Sequence, residues 1–207
     1  MMRAFKRALV IFPALAACYA YAPPPWRAAG YARPPAAREG TLGAGAPSAA
    51  ELYERRERIV EVARRYLGQP FNGDCSGYVR QVMREAEVDL GRLPSARSMS
   101  ESLHLASREV RRAAPGDLVF FHDTYDRNGD GKLGDLWTHV ALVEAVEGDQ
   151  VWILHRGGRG IVRLEMDLAQ PRDERTNDPV RARSERDPRG TRYLTGELFA
   201  GFGAVVR

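Results

Sequence analysis

Cys75 lies in the stretch Asn72-Gly73-Asp74-Cys75-Ser76-Gly77-Tyr78-Val79, between turn residues and the start of an apolar stripe at helical spacing. The chemistry open to it is nucleophilic. A free thiol, with a pKa of about 8.5, is mostly protonated at neutral pH, whereas covalent catalysis needs the thiolate. A helix N-terminus favours negative charge through its unpaired N–H groups and its dipole. The same main-chain N–H groups can bind the oxyanion of an acyl-transfer step. Asp74 or Asn72 stands where a helix cap is needed, Ser76 is small and polar beside the sulfur, and Gly77 leaves close access.

A nucleophile also needs a base, and the chain has four histidines: His104, His122, His139 and His155. His139 opens the strand-like run Thr138-His139-Val140-Ala141-Leu142-Val143, and His155 closes the run Val151-Trp152-Ile153-Leu154-His155. Their spacing suits a hairpin with both residues at one edge, so that His139 is the candidate base and His155 the residue that orients its ring. Two histidines in a hairpin are, by spacing alone, equally compatible with ordinary core or surface positions. His104 falls in a helix without a partner signal, and His122 follows a strand into a loop. One Cys and two His could ligate zinc, but no close C-x-x-C or H-x-x-x-H spacing supports that reading.

A second stretch with chemical potential is Asp126-Arg127-Asn128-Gly129-Asp130-Gly131-Lys132-Leu133-Gly134-Asp135. Oxygen-bearing side chains at Asp126, Asn128 and Asp130, followed by Gly131, repeat the first half of an EF-hand calcium loop. Lys132 can add its carbonyl. The twelfth position is Trp137 rather than Glu, so Asp135 or Asp123 is the candidate to complete the set. The competing reading is a glycine-rich turn with solvated acids. Calcium here is expected to be structural, stiffening the loop before His139, and no cofactor is required for catalysis.

The elements that position these residues follow from periodicity. Ser48-Ala49-Ala50-Glu51 has capping-box spacing, and Leu52, Ile59, Val60, Ala63, Tyr66 and Leu67 recur at helical intervals until Gly68 and Pro70 stop the run. Tyr78, Val79, Val82, Met83 and Ala86 mark a second helix behind Cys75. Residues 96–107 suggest a third, with Met99, Leu103 and Ala106 inward. Strands are expected at Leu118-Val119-Phe120-Phe121, at 139–146, at 150–155, at 161–164 and at 198–206, the last interrupted by Gly201 and Gly203. Residues 170–192 are polar and unpatterned, as in a solvated loop. Helices first and a meander of strands after is an α+β arrangement.

The 207 residues, 44% apolar, are enough for one domain with a proper core plus flanking segments. The net charge is +4, but residues 1–17 hold Arg3, Lys6 and Arg7 and no acid, and without them the balance falls to +1. With no basic–aromatic run either, nucleic acid is not an expected partner. Residues 1–17 read as a signal peptide, with an apolar run too short to span a bilayer. The ending Leu15-Ala16-Ala17-Cys18 resembles the bacterial lipobox, which makes Cys18 a lipidation site and leaves Cys75 unpaired. Residues 18–49, rich in Pro, Ala and Gly, read as a flexible tether, and residues 50–207 as the folded domain. Export, lipid anchoring to a membrane of the bacterial envelope (periplasmic or outer-membrane-associated) and a monomeric state are the expectations.

Taken together, several ordered motifs resemble the NlpC-type cell-wall cysteine peptidases, which are papain-like. They are Ile59-Val60 through Gly68-Gln69-Pro70-Phe71, then Asp74-Cys75-Ser76-Gly77, then Pro115-Gly116-Asp117-Leu118-Val119-Phe120-Phe121, and Thr138-His139-Val140. The resemblance covers about residues 50 to 165. It implies a papain-like α+β fold with the cysteine on a helix packed against an antiparallel sheet. It also implies Cys75 as nucleophile, His139 as base and His155 as orienting residue. The implied substrate is the peptide stem of peptidoglycan, cut between D-glutamate and a diamino acid. Ala141 replaces a frequent glycine, and residues 170–192 exceed the compact family core. The alternatives are a catalytically silent, wall-binding lipoprotein, or a papain-like amidase or acyltransferase acting on another substrate.

Overall fold

Ser48 is where the described fold begins: the computed structural model describes residues 47–206. The expected signal peptide (1–17), Cys18 and nearly all of the tether (18–49) lie outside the described residues. The expected capping box is present. The Ser48 hydroxyl accepts the Glu51 N–H at 3.2 Å, and the Glu51 carboxylate accepts the Ser48 N–H at 2.7 Å. From this cap α1 runs over Ala49–Arg65 and buries Ile59, Val60, Val62 and Ala63. Helix α2, Cys75–Glu85, is capped by Asp74 and buries Tyr78, Val79, Val82 and Met83. The Tyr78 hydroxyl donates to the Ala63 carbonyl at 3.0 Å, tying the two helices where both are apolar. Helix α3, Met99–Ala106, starts at the Ser98 cap and buries Ser100, Ser102 and Leu103. Met99, expected inward, is instead 39% exposed, because the turn faces the interior through Ser100 and Leu103.

The strands are β1 (Arg108–Val110), β2 (Leu118–Phe121), β3 (His139–Glu147), β4 (Gln150–Gly157), β5 (Gly160–Asp167) and β6 (Phe199–Ala204). They form one antiparallel sheet in the order β1-β6-β2-β3-β4-β5. One face packs on the helices through Tyr78, Val82, Phe120, Leu142, Leu154 and Ile161. The other face carries Val119, Phe121, Val143, Ile153, Met166 and Phe202. This α+β layering accounts for continuous apolar runs such as Leu118-Val119-Phe120-Phe121, since both faces of the central strands are covered.

Three differences from the sequence reading stand out. First, β6 runs on through its glycines, pairing with β1 and β2, although its register with β2 shifts beside Gly201; a Cβ at Gly203 would lie 2.1 Å from the Ser107 hydroxyl. Glycine is there to admit Ser107. Second, the sequence pattern shows neither β1 nor the short α4 (Thr195–Leu198), each too brief to display a period. Third, residues 170–192 are not a fully solvated loop, because Asn177 and Arg181 are buried. Asn177 accepts the Asp167 N–H at 2.9 Å and donates to the carbonyls of Gln170 and Asp173. Arg181 donates to Asp187 and to the Asp123 carbonyl, each at 2.5 Å. Side-chain hydrogen bonds do here what periodic backbone structure does elsewhere.

The β3–β4 ladder contains a bulge. Val143 pairs with Ile153 but Ala145 pairs with Trp152, which leaves Glu144 without a cross-strand mate. Its carboxylate is fully buried and gripped by two guanidinium groups, Arg64 of α1 at 2.7 Å and Arg163 of β5. Removing one cation leaves a buried carboxylate half-compensated. Arg163→Leu is therefore expected to lower unfolding stability by about 3 kcal/mol in chemical denaturation, and a change below about 1 kcal/mol would show the triad to be no firmer than a surface pair.

Candidate active site

Three elements place the candidate residues. The N-terminus of α2 carries Cys75, the first residue of β3 is His139, and His155 stands near the end of β4. The Asp74 carboxylate accepts the Gly77 N–H at 2.6 Å and the Ser76 hydroxyl at 2.8 Å. That fixes the first turn of α2 and commits Ser76, itself buried, to the cap rather than to a ligand. A Cβ at Gly77 would come within 3.1 Å of the same Asp74 oxygen, so glycine keeps the cap close.

His139 and His155 meet as the hairpin spacing predicts. Their rings are joined by a 3.0 Å contact between His139 Nε2 and His155 Nδ1, and both are buried. When Nε2 of His139 carries the hydrogen and donates to His155, the lone pair of His139 is left at Nδ1, free to accept a proton. Burial pushes His139 down to about 3, with the neighbouring His155 adding to the effect. Burial likewise lowers His155 to about 4, helped by the charge of Arg156. Both rings are neutral near pH 7.

The sulfur lies against the start of β3, where it meets the Val140 N–H, and 3.8 Å from the Ser100 hydroxyl of α3. Its side-chain hydrogen-bond partner is Ser100 and not His139. Burial pushes the Cys75 thiol up, against the pull of the Val140 N–H, the Ser100 hydroxyl and the Ser76 N–H, while the negative charge of Asp74 adds to the rise. The direction is opposite to what a helix N-terminus alone predicts, because desolvation outweighs the helix end. The arrangement is a neutral thiol against the N–H that follows His139 in the chain, and a neutral imidazole pair. It supports proton transfer at the moment of attack rather than a standing thiolate.

Residues that sequence reasoning missed surround this centre. Ser100 is legible only as a polar residue on an apolar helix face. His104 and His122, without any partner signal in the sequence, both pack on Trp137. His104 stacks on the indole with ring centroids 3.7 Å apart, and His122 meets it edge-on at 4.6 Å. Trp137 has φ +54°, a left-handed conformation that costs a bulky residue about 1–3 kcal/mol.

The acidic loop is curled by its own side chains. Asp126 accepts the N–H groups of Gly129 and Gly131, Asn128 that of Asp130, and Asp130 that of Lys132. Asp135 is turned to Arg127, accepting its N–H at 2.9 Å and facing its guanidinium, and does not join the others. Among the described residues no group of three His, Cys, Asp or Glu side chains is placed to hold a metal ion. The loop fits a cation only in part, through Asp126, Asn128 and Asp130, and no chemical step is routed through one.

The depressed histidines have a consequence for stability. Their folded pKa values lie below the unfolded value of about 6.5, so below that pH the unfolded chain binds protons that the folded chain refuses. The contribution of the neutral pair is full above about pH 6.5 and is lost progressively as the pH falls toward about 4. The melting temperature is expected to drop between pH 6.5 and 4.5, and less steeply in His139→Gln. Equal slopes in calorimetry for both proteins would remove His139 from this account.

Comparison with known proteins places the chain in a family. The sequence profile of the NlpC/P60 family matches residues 64–172, more than half of the chain and the whole stretch that contains Cys75, His139 and His155. No curated protein matches the chain. A solved structure titled "The crystal structure of Ly7917" matches at 20% identity, covering 55% of this chain and 56% of its own, with a TM-score of 0.34. The chain thus spans about half the length of that structure. Members of the matched family are cysteine peptidases of the bacterial cell wall with a papain-like α+β fold, and on the extent of the match the chain belongs to the NlpC/P60 family.

Proposed function

We propose that the protein is a peptidoglycan stem-peptide endopeptidase that cuts the bond between D-glutamate and a diamino acid through an acyl-enzyme on Cys75. The observation that carries this reading is the buried His139–His155 pair, joined at 3.0 Å, with the Cys75 sulfur held against the N–H of Val140, the residue after His139. In the first half-reaction the Cys75 thiol gives its proton to His139 as the sulfur attacks the amide carbonyl carbon. The oxyanion so formed is met by main-chain N–H groups at the start of α2. Collapse breaks the C–N bond, the amine leaves with the proton from His139, and a thioester remains. Water, deprotonated by the same imidazole, then releases the acid and restores the thiol. His155 keeps the His139 ring in the tautomer that accepts at Nδ1.

The same reading extends beyond the described residues. Export, acylation at Cys18 and a flexible tether would hold the domain at an envelope membrane facing the wall polymer. Among the described residues no helix is long and apolar enough to cross a membrane. Calcium in the Asp126–Asp135 loop is proposed as a stiffener only, on the spacing of Asp126, Asn128 and Asp130.

The test is digestion of purified peptidoglycan with product analysis by mass spectrometry. Cleaved stems ending in D-glutamate are expected from the parent protein. Cys75→Ala should abolish them, and His139→Ala should lower the rate by at least about 100-fold. Undiminished release by Cys75→Ala removes the nucleophile assignment. Thioester formation on a non-wall amide, with intact stems, would favour the amidase or acyltransferase alternative. For the loop, calcium added to chelated protein should raise the melting temperature, and Asp130→Ala should cancel the rise.

A further inference from the structure

We infer that His122 is a positioning residue for the catalytic base: its ring nitrogen accepts the Trp137 N–H and so fixes where His139 enters the site. The inference rests on the reading of His139 as base.

The β2–β3 ladder ends with Phe121 opposite His139. Beyond it the Thr138 N–H donates to the Phe121 carbonyl at 3.0 Å. The bond after that is made by a side chain, with the Trp137 N–H donating to His122 Nδ1 at 2.9 Å. A ring nitrogen thus takes the part of a backbone carbonyl and carries the pairing two residues past the strand end. The other polar group of the Trp137 backbone is also claimed by a side chain, since its carbonyl accepts the Ser98 hydroxyl at 3.1 Å. Ser98 caps α3, the helix whose Ser100 touches the Cys75 sulfur.

The clamp is needed because Trp137 is held at φ +54°. A bulky residue leaves that conformation unless its surroundings determine it. Here they do so on two sides. Backbone donor and acceptor are both engaged, and the indole is packed by His104, His122 and Phe120. Thr138 transmits the position, being buried and accepting the Thr124 N–H and hydroxyl, each at 2.9 Å. The next residue is His139. For Nδ1 to accept, the His122 ring must be uncharged there. Burial lowers its pKa, with the His104 ring adding to the effect and Asp123 opposing it.

The geometry separates two roles for His122 that ordinary substitution would merge. Asn places an amide oxygen close to where Nδ1 sits, Gln moves it outward by one methylene, and Phe keeps the ring without any acceptor. In the full chain, with a soluble stem peptide as substrate, His122→Phe and His122→Gln are expected to lower kcat about 10- to 100-fold with KM within about twofold of the parent. The pH midpoint of Cys75 alkylation should move in the same two variants. His122→Asn should restore both readouts, whatever its melting temperature. Parent-like kcat in His122→Gln, or equal losses in the Asn and Gln variants, would overturn the inference. His139→Ala is run beside them. If it retains full activity, the base assignment itself fails. If it is inactive while His122→Gln is not, only the clamp is wrong.

Discussion

The hydrogen bond between His139 and His155 has to persist away from water, and that requirement shapes the end of the sheet. A desolvated imidazole resists protonation, so His139 is kept neutral. Its hydrogen-bonded neighbour, His155, decides which nitrogen is free. The surrounding parts follow from this. The strands are apolar on both faces, the helices seal one side, and the 168–198 segment covers part of the other with Leu168, Val180 and Leu198. Thr138 and Asn177, two polar side chains admitted to this interior, are hydrogen bonded.

At the sulfur two physical effects pull in opposite directions. The helix end and the N–H groups of Ser76 and Val140 favour the thiolate, while burial and the Asp74 carboxylate favour the thiol. Burial prevails, so the sulfur rests as a thiol. The capping aspartate is part of this balance. It secures the helix that presents the sulfur, and its charge simultaneously opposes ionisation of that sulfur.

Much of this was legible in the sequence because it is local. The capping box at Ser48, the Asp74 cap, the apolar stripe behind Cys75 and the strand bearing His139 are each written within a dozen residues. The α+β order followed from the change of period near Pro115. What was not legible is what depends on contacts between distant segments. Ser100 beside Cys75, the two histidines on Trp137, and Arg181 reaching the Asp123 carbonyl have no periodic signature. A left-handed tryptophan cannot be anticipated from its type, which argues against that conformation. Nor could the direction of the thiol's shift be read, since it depends on how deeply the helix end is buried.

The Glu144 bulge gives the hairpin a parity. Side chains on adjacent strands share a face only when they are directly paired or an even number of residues from pairing. From Ala145–Trp152 to the turn the two residue numbers of each pair add to an odd total, and from Val143–Ile153 onward to an even one. Continued without the bulge, the ladder would put Arg156 on the face of His139 and turn His155 to the opposite side. One glutamate without a cross-strand mate, held in place by arginines from a helix and from the strand beyond β4, therefore selects which of two consecutive residues becomes the partner of His139. In a chain of this kind a single-residue deletion in a strand would be a change of chemistry, with the same fold and every candidate residue still present.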